Sequence, residues 1–127
     1  MPKVDNRLII YEKINKLIVH SKKLLVKYPK SERFDLCADI KQNLYEILRL
    51  VILAWKTQNS KERLEILNRI DIELIVLKSL IKISYEFKYI TEKNFVVWSE
   101  RVSEIGKMIG GWIKTCQKGW KIYLKRK

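Results

Sequence analysis

The sequence predicts an all-α protein that folds as an antiparallel up-down-up-down four-helix bundle. Its 127 residues include only 4 glycines and 2 prolines, so few turns interrupt the chain and the elements between them are long. Apolar residues recur at alternating spacings of three and four, which is the period of an amphipathic helix. Three short breaks in this pattern divide the chain into four segments, one for each helix of the bundle.

These three breaks set the predicted helix boundaries. The first is Tyr28-Pro29-Lys30-Ser31, because a proline disfavours the helical conformation of the residue before it. Ser60 and Thr91 are expected to cap the third and fourth helices. The predicted helices span about residues 6–27, 32–56, 61–88 and 92–123, within one domain of residues 1–124 that is followed by a basic end at 125–127.

Each predicted helix carries an apolar stripe that is expected to face the core. The stripe of the first helix has Ser21 in one of its positions. The most regular stripe belongs to the fourth helix and consists of Phe95, Trp98, Val102, Ile105, Ile109, Trp112 and Cys116.

The second and third helices are more apolar than one core face requires. Their additional apolar residues are Leu48, Ile52 and Trp55 on the second helix and Ile72, Ile75, Val76, Leu80 and Ile83 on the third. A large apolar surface outside the core usually marks an interface. We therefore expect a homo-oligomer.

The net charge of +13 predicts a polyanionic partner, either nucleic acid or an anionic membrane surface. Residues 1–30 carry eight basic and two acidic side chains, and residues 91–127 carry nine and three, so each segment has a net charge of +6. The first and last helices are neighbours in this topology, and their basic residues should share one face. The candidate nucleic-acid-binding residues are Lys13, Lys16, Lys23, Lys27, Arg101, Lys107, Lys114, Lys118 and Lys121. For any single lysine, the alternative to a role in binding is that its side chain is simply solvated.

A row of small residues lies beside the apolar stripe of the fourth helix: Ser99, Ser103, Gly106 and Gly110. A glycine inside a helix costs about 1 kcal/mol relative to alanine. Gly106 and Gly110 therefore indicate a close approach of another helix, within or between subunits. Trp112 and Trp55 are the candidate aromatic residues of such a packing surface. The alternative is a locally weak helix.

The chain lacks the patterns that catalysis or metal binding would need. It contains no phosphate-binding glycine loop, no HExxH and no nucleophile elbow, so we expect neither an enzyme nor a cofactor. His20 is the only histidine and is expected to face solvent. Cys37 and Cys116 should lie at opposite ends of the bundle, too far apart for a disulfide, as small core residues.

The expected location is the cytoplasm. The first residues do not resemble a secretory signal, and no apolar run approaches the roughly 20 residues of a membrane span. Trp120, Tyr123 and Leu124 share a helical face near the end of the chain. This patch is short for a membrane-surface anchor, and we expect it to prolong the bundle packing.

Two stretches resemble a known family. YPKSERFDLCADIKQNLYEILRL, residues 28–50, is similar to an opening in which YPKxERF leads into the second helix. EIGKMIGGWIK, residues 104–114, is similar to a glycine-tryptophan close of the fourth helix. Together they resemble the accessory variability determinant (Avd) proteins of diversity-generating retroelements. The wider group includes bacterial four-helix proteins encoded in 23S rRNA intervening sequences, which carry a small-residue patch where this chain has QNLYEILRLVILAW.

The resemblance implies a homopentameric barrel of basic four-helix protomers. Such a protein would bind template RNA or cDNA and a reverse transcriptase, and would support mutagenic reverse transcription without catalysing a step. The residues that match the family stretches mark the fold: Pro29, Glu32, Arg33, Gly106, Gly110, Gly111 and Trp112. The alternative is an RNA- or ribosome-associated bundle without a reverse transcriptase partner.

Overall fold

The computed structural model describes residues 6–126 and places four long helices in them. Each helix packs against its two neighbours in the bundle: α1 and α3 both contact α2 and α4. No strand occurs in this part of the chain, and the predicted all-α four-helix fold is confirmed. The helices are α1 (Asn6–Leu25), α2 (Leu36–Lys56), α3 (Ser60–Glu86) and α4 (Glu92–Arg126).

The predicted apolar stripes form the core. Ile14, Leu77 and Val102 are among the fully buried residues, and Trp98 of α4 is the largest of them. The Trp98 indole Nε1–H donates a 2.8 Å hydrogen bond to Ser21 Oγ of α1. The Ser21 hydroxyl in turn donates to the Leu17 carbonyl oxygen, 2.7 Å away. A polar residue therefore occupies one core position of α1 because it satisfies the buried indole of α4.

The connection between α1 and α2 is longer than the sequence pattern predicted. α1 ends at Leu25 instead of residue 27, and α2 begins at Leu36 instead of residue 32. Between them, Lys30–Glu32 form one 3₁₀ turn after the extended Pro29. This turn uses the short i to i+3 bonding pattern and does not merge with α2. Tyr28 anchors the connection, since its buried ring contacts Tyr89 at 5.4 Å between centroids.

The helix caps differ from prediction at one of two positions. α3 is capped by Asn59, whose Oδ1 accepts from the Glu62 N–H at 3.0 Å, while Ser60 is the first helical residue. Thr91 Oγ1 accepts from the Asn94 N–H at 3.1 Å and caps α4. Asparagine and serine are equally good caps, so sequence preference alone did not separate adjacent candidates.

α4 continues to Arg126, beyond the predicted end near residue 123. Its last buried residue is Cys116. Trp120 is half-buried, but Tyr123 and Leu124 are exposed, so the expectation that all three prolong the bundle packing is wrong for the last two. Within residues 6–126, no helix is long and apolar enough to cross a membrane.

Both cysteines are buried and carry free thiols. Cys37 lies in the first turn of α2, and burial raises the pKa of its thiol. Both side chains fill space in the core, as small apolar residues do.

Candidate nucleic-acid interface

The structure brings basic residues of α1 and α4 together along one groove. Lys13 and Lys16 of α1 line a depression of about 40 Å³ with Arg101 and Glu104 of α4. A volume this small does not enclose a ligand. The groove can therefore offer surface contacts to an extended partner, as a phosphate backbone requires.

An acidic side chain lies inside this groove. Lys13 Nζ is 2.7 Å from Glu104 Oε1. The hydrogen bond and positive charge of Lys13 lower the pKa of the Glu104 carboxyl, with a smaller contribution from Arg101. The carboxylate neutralises much of the local charge of Lys13. Lys16 and Arg101 are thus better placed than Lys13 to contact a polyanion.

His20 lies between the basic residues of the two helices and is half-buried, not solvent-facing as expected. Burial, followed by the charges of Arg101 and Lys23, lowers the pKa of His20. The imidazole is therefore neutral near pH 7. Lys16, His20 and Lys23 recur at spacings of four and three and so share one face of α1, and Lys16 lines the depression with Arg101.

The remaining predicted basic residues spread along the surface and are exposed. Since α4 runs antiparallel to α1 and Glu104 is level with Lys13, the later part of α4 lies beside the start of α1 and beyond it. The basic surface therefore has two zones. We call Lys16, Lys23, Lys27 and Arg101 the α1/α4 zone, and Lys114, Lys118 and Lys121 the terminal zone, with Lys107 between them.

A larger cleft opens at one end of the bundle, where α1, α3 and α4 meet. It has a volume of about 580 Å³ and is lined by Arg7, Ile10, Arg63, Met108, Gly111, Trp112 and Thr115. Arg63 also fastens the connection from α2 to α3, because its guanidinium donates to the carbonyl oxygens of Ala54 and Thr57. Sequence reasoning missed this cleft, since its residues come from three helices and share no spacing.

The glycines of the small-residue row on α4 do not approach another helix of the same chain closely. A Cβ placed on Gly106, Gly110 or Gly111 would meet no atom of another helix within 4 Å. The glycines therefore make no close approach to another helix within the subunit. Packing between subunits stays a prediction.

The candidate aromatic packing residues are only partly covered. Trp112 forms one wall of the end cleft, and Trp55 contacts Tyr11 with ring centroids 6.1 Å apart. Both indoles are half-buried. Each therefore retains surface that a second subunit could cover.

Several of the additional apolar residues remain uncovered in the single chain. On α3, Ile72 and Ile75 are 58% and 59% exposed. Ile52, Val76 and Ile83 are also exposed, whereas Leu48 and Leu80 are half-buried. The excess apolar surface that the sequence predicted is therefore real in the folded protomer.

Among residues 6–126, no group of three or more metal-ligating side chains comes together. Residues 8–116, which include the α1/α4 zone and the lining of the end cleft except Arg7, match the model of a family described as bAvd-like. No curated protein matches the chain.

Proposed function

This chain belongs to the bAvd-like family, and we propose that it is the accessory protein of a diversity-generating retroelement, binding nucleic acid and a reverse transcriptase. The family is generally one of non-catalytic accessory scaffolds. In this role the protein holds template RNA or cDNA close to the polymerase and supports mutagenic reverse transcription.

The observation that carries the nucleic-acid part is the α1/α4 zone. Lys16 and Lys23 share one face of α1, seven residues apart, and Arg101 of α4 lines a depression with Lys16. Basic side chains arranged in this way neutralise phosphates and release the counterions condensed on them. Binding by such a surface is expected to be strong at low salt and to show little sequence preference.

Charge reversal in this zone tests the proposal. The variant Lys16→Glu/Lys23→Glu is expected to bind RNA more weakly, with a log–log salt slope that is smaller by about 1.4 to 1.8, because each lost phosphate contact lowers the slope by about 0.7 to 0.9. Fluorescence anisotropy with a labelled RNA at several salt concentrations measures both quantities.

The matched control is Lys78→Glu/Lys82→Glu, which reverses two exposed lysines of α3 outside the zone. It changes the net charge by the same amount and reports the general effect of charge. Equal binding by both double variants would remove the α1/α4 zone from the interface. Circular dichroism of each variant verifies the helical fold.

The homo-oligomer is the second part of the proposal. The exposed Ile72 and Ile75 of α3, with the open glycines of α4, support a surface that other subunits cover. Light scattering in high salt is expected to give a mass near five times 15.3 kDa. A monomeric mass would contradict the pentamer.

The reverse transcriptase is the proposed protein partner. Co-expression of this chain with the reverse transcriptase of a diversity-generating retroelement, followed by affinity purification in nuclease, is expected to recover both proteins. Recovery of this chain alone, with RNA binding intact, would favour an RNA-associated bundle without that partner.

A further inference from the structure

The last part of α4 is an addition to the bundle. The family match ends at residue 116, which is also the last buried residue of α4, yet the helix continues to Arg126. A helical segment that buries no core residue gains little from tertiary packing. The stability of the bundle therefore does not explain which side chains this segment carries.

Two aromatic side chains in this segment are already arranged as a stack. The rings of Trp120 and Tyr123 lie 5.4 Å apart with an angle of 20° between their planes. Trp120 is half-buried, whereas 47% of Tyr123 is exposed. The helix thus presents an aromatic surface of two stacked rings.

This aromatic pair forms one side of a cleft. The other side is the start of α3, and the cleft of about 380 Å³ is lined by Asn59, Ser60, Lys61, Trp120 and Tyr123. The volume is within the range of small-ligand sites. Asn59 Oδ1 accepts from the Glu62 N–H and caps α3, which leaves the donors of its amide group for other partners. Flat aromatic rings, amide and hydroxyl groups and one ammonium group suit a nucleobase with its phosphate.

The α4 side of the cleft is strongly basic, whereas on the α3 side Lys61 is followed by Glu62. No Asp or Glu follows Glu104 in the chain, while seven Lys or Arg do. Arg126 lies three residues beyond Tyr123 and hence on nearly the same helical face. Lys61 lies on the opposite side of the cleft. A ligand stacked on the aromatic pair therefore has a cation on either side.

A membrane surface fits this segment less well. An interfacial helix needs a long apolar face. Exposed Leu124 shares the face of Trp120 and Tyr123, but this face covers little more than one turn, and exposed Ile122 lies far around the helix from it. The aromatic side also faces the start of α3, so Trp120 is not free to enter a lipid layer.

We propose that this cleft binds an unpaired base of single-stranded nucleic acid, stacked on the Trp120–Tyr123 pair, with Lys61 and Arg126 contacting the adjoining phosphates. The proposal rests on the proposed function and adds a preference for single strands over duplexes, because a paired base must first be unpaired and unstacked, at a cost in free energy, before it can stack on the protein.

The test compares Tyr123→Ala with two controls. Tyr123→Phe keeps the ring, and Leu124→Ala removes a neighbouring side chain of similar exposure that does not line the cleft. The probes are a fluorescein-labelled oligouridylate of about 20 nucleotides, long enough to cover several stacking sites, and an RNA duplex of the same length. Anisotropy at several salt concentrations gives the affinity and the salt slope for each.

Tyr123→Ala is expected to weaken oligouridylate binding by about 5- to 150-fold, the effect of losing one stacked base. The salt slope and the duplex affinity should not change, because no cation is removed. Tyr123→Phe and Leu124→Ala should bind both probes as the parent chain does. Lys61→Ala should instead lower the salt slope.

Other outcomes separate the two proposals. Unaltered oligouridylate binding by Tyr123→Ala, or an equal loss for the duplex, would overturn the stacking site while leaving the proposed function intact. A parent chain that binds neither probe would remove the proposed function. A loss confined to anionic phosphatidylserine vesicles would identify the segment as a membrane contact and overturn the stacking site.

Discussion

The buried hydrogen bond between α1 and α4 gives the sharpest test of what holds the bundle together. In Ser21→Ala, the Trp98 indole N–H loses its acceptor, 2.8 Å away, while both residues remain fully buried. A buried donor left without a partner costs about 1–3 kcal/mol, whereas the Leu17 carbonyl oxygen that Ser21 also contacts loses only a supplementary donor. Stability should therefore fall although the new side chain is a better helix former.

The matched control is Ser79→Ala on the exposed surface of α3. It reports the gain in helix propensity, about 0.5 kcal/mol, that Ser21→Ala also contains. The difference between the two variants is then the cost of the orphaned indole, about 1–3 kcal/mol. For a chain of this length that difference corresponds to a lower melting temperature by about 3–6 °C per kcal/mol.

Urea unfolding at one fixed protomer concentration measures the free energy of unfolding of each variant, since oligomerisation makes the midpoint depend on concentration. A cycle with Trp98→Phe isolates the bond, because Ser21→Ala should cost little once the indole N–H is absent. If Ser21→Ala is as stable as Ser79→Ala, the hydrogen bond contributes nothing and the reasoning is refuted.

Two further predictions concern the helix cap and the buried phenol. Asn59→Ala should destabilise the protein by about 1 kcal/mol because the Glu62 N–H loses its acceptor, and Asn68→Ala, on the exposed side of α3, should cost less in the same urea titration. Burial raises the pKa of Tyr28 to about 12, so its neutral form is favoured in the folded state. The stability that this group contributes is intact below about pH 10 and is lost as pH rises toward 12. Between about pH 9 and about pH 11, the free energy of unfolding should fall less in Tyr28→Phe than in the parent chain. An equal fall in the two proteins would contradict the raised pKa of Tyr28.

The sequence was most informative where one helix supplied the whole pattern. The stripe of α4 predicted seven core positions, of which Trp98, Val102, Ile105, Ile109 and Cys116 are buried, while Phe95 and Trp112 are half-buried. Spacing along a helix determines which residues share a face, so such positions can be predicted without knowledge of the partner helix.

Features that need two helices at once could not be predicted. Ser21 was visible as a polar residue in an apolar stripe, but its partner Trp98 is 77 positions away. The ion pair of Lys13 with Glu104 depends on the relative level of α1 and α4, which spacing does not determine. The sequence therefore predicted which basic residues are candidates. The structure was needed to divide them into the α1/α4 zone and the terminal zone.

The length of the α1–α2 connection is a second feature that the sequence did not predict. Pro29 correctly indicated a break, but α2 begins four residues later than predicted because Lys30–Glu32 form a separate turn. A 3₁₀ turn and the first turn of an α-helix accept the same residues, so sequence preference does not distinguish them.

The glycines of α4 divide this helix into thermodynamically unequal halves. The first half holds Trp98 and its buried neighbours, whereas Gly110, Gly111 and Gly119 lie in the second, in which Cys116 is the last buried side chain. Each glycine lowers the local helix stability by about 1 kcal/mol, so the second half should open without unfolding of the bundle. Its amide hydrogens should exchange with solvent faster than those around Trp98. The part of the chain that carries the terminal basic zone can thus adjust its shape to a ligand while the core stays folded.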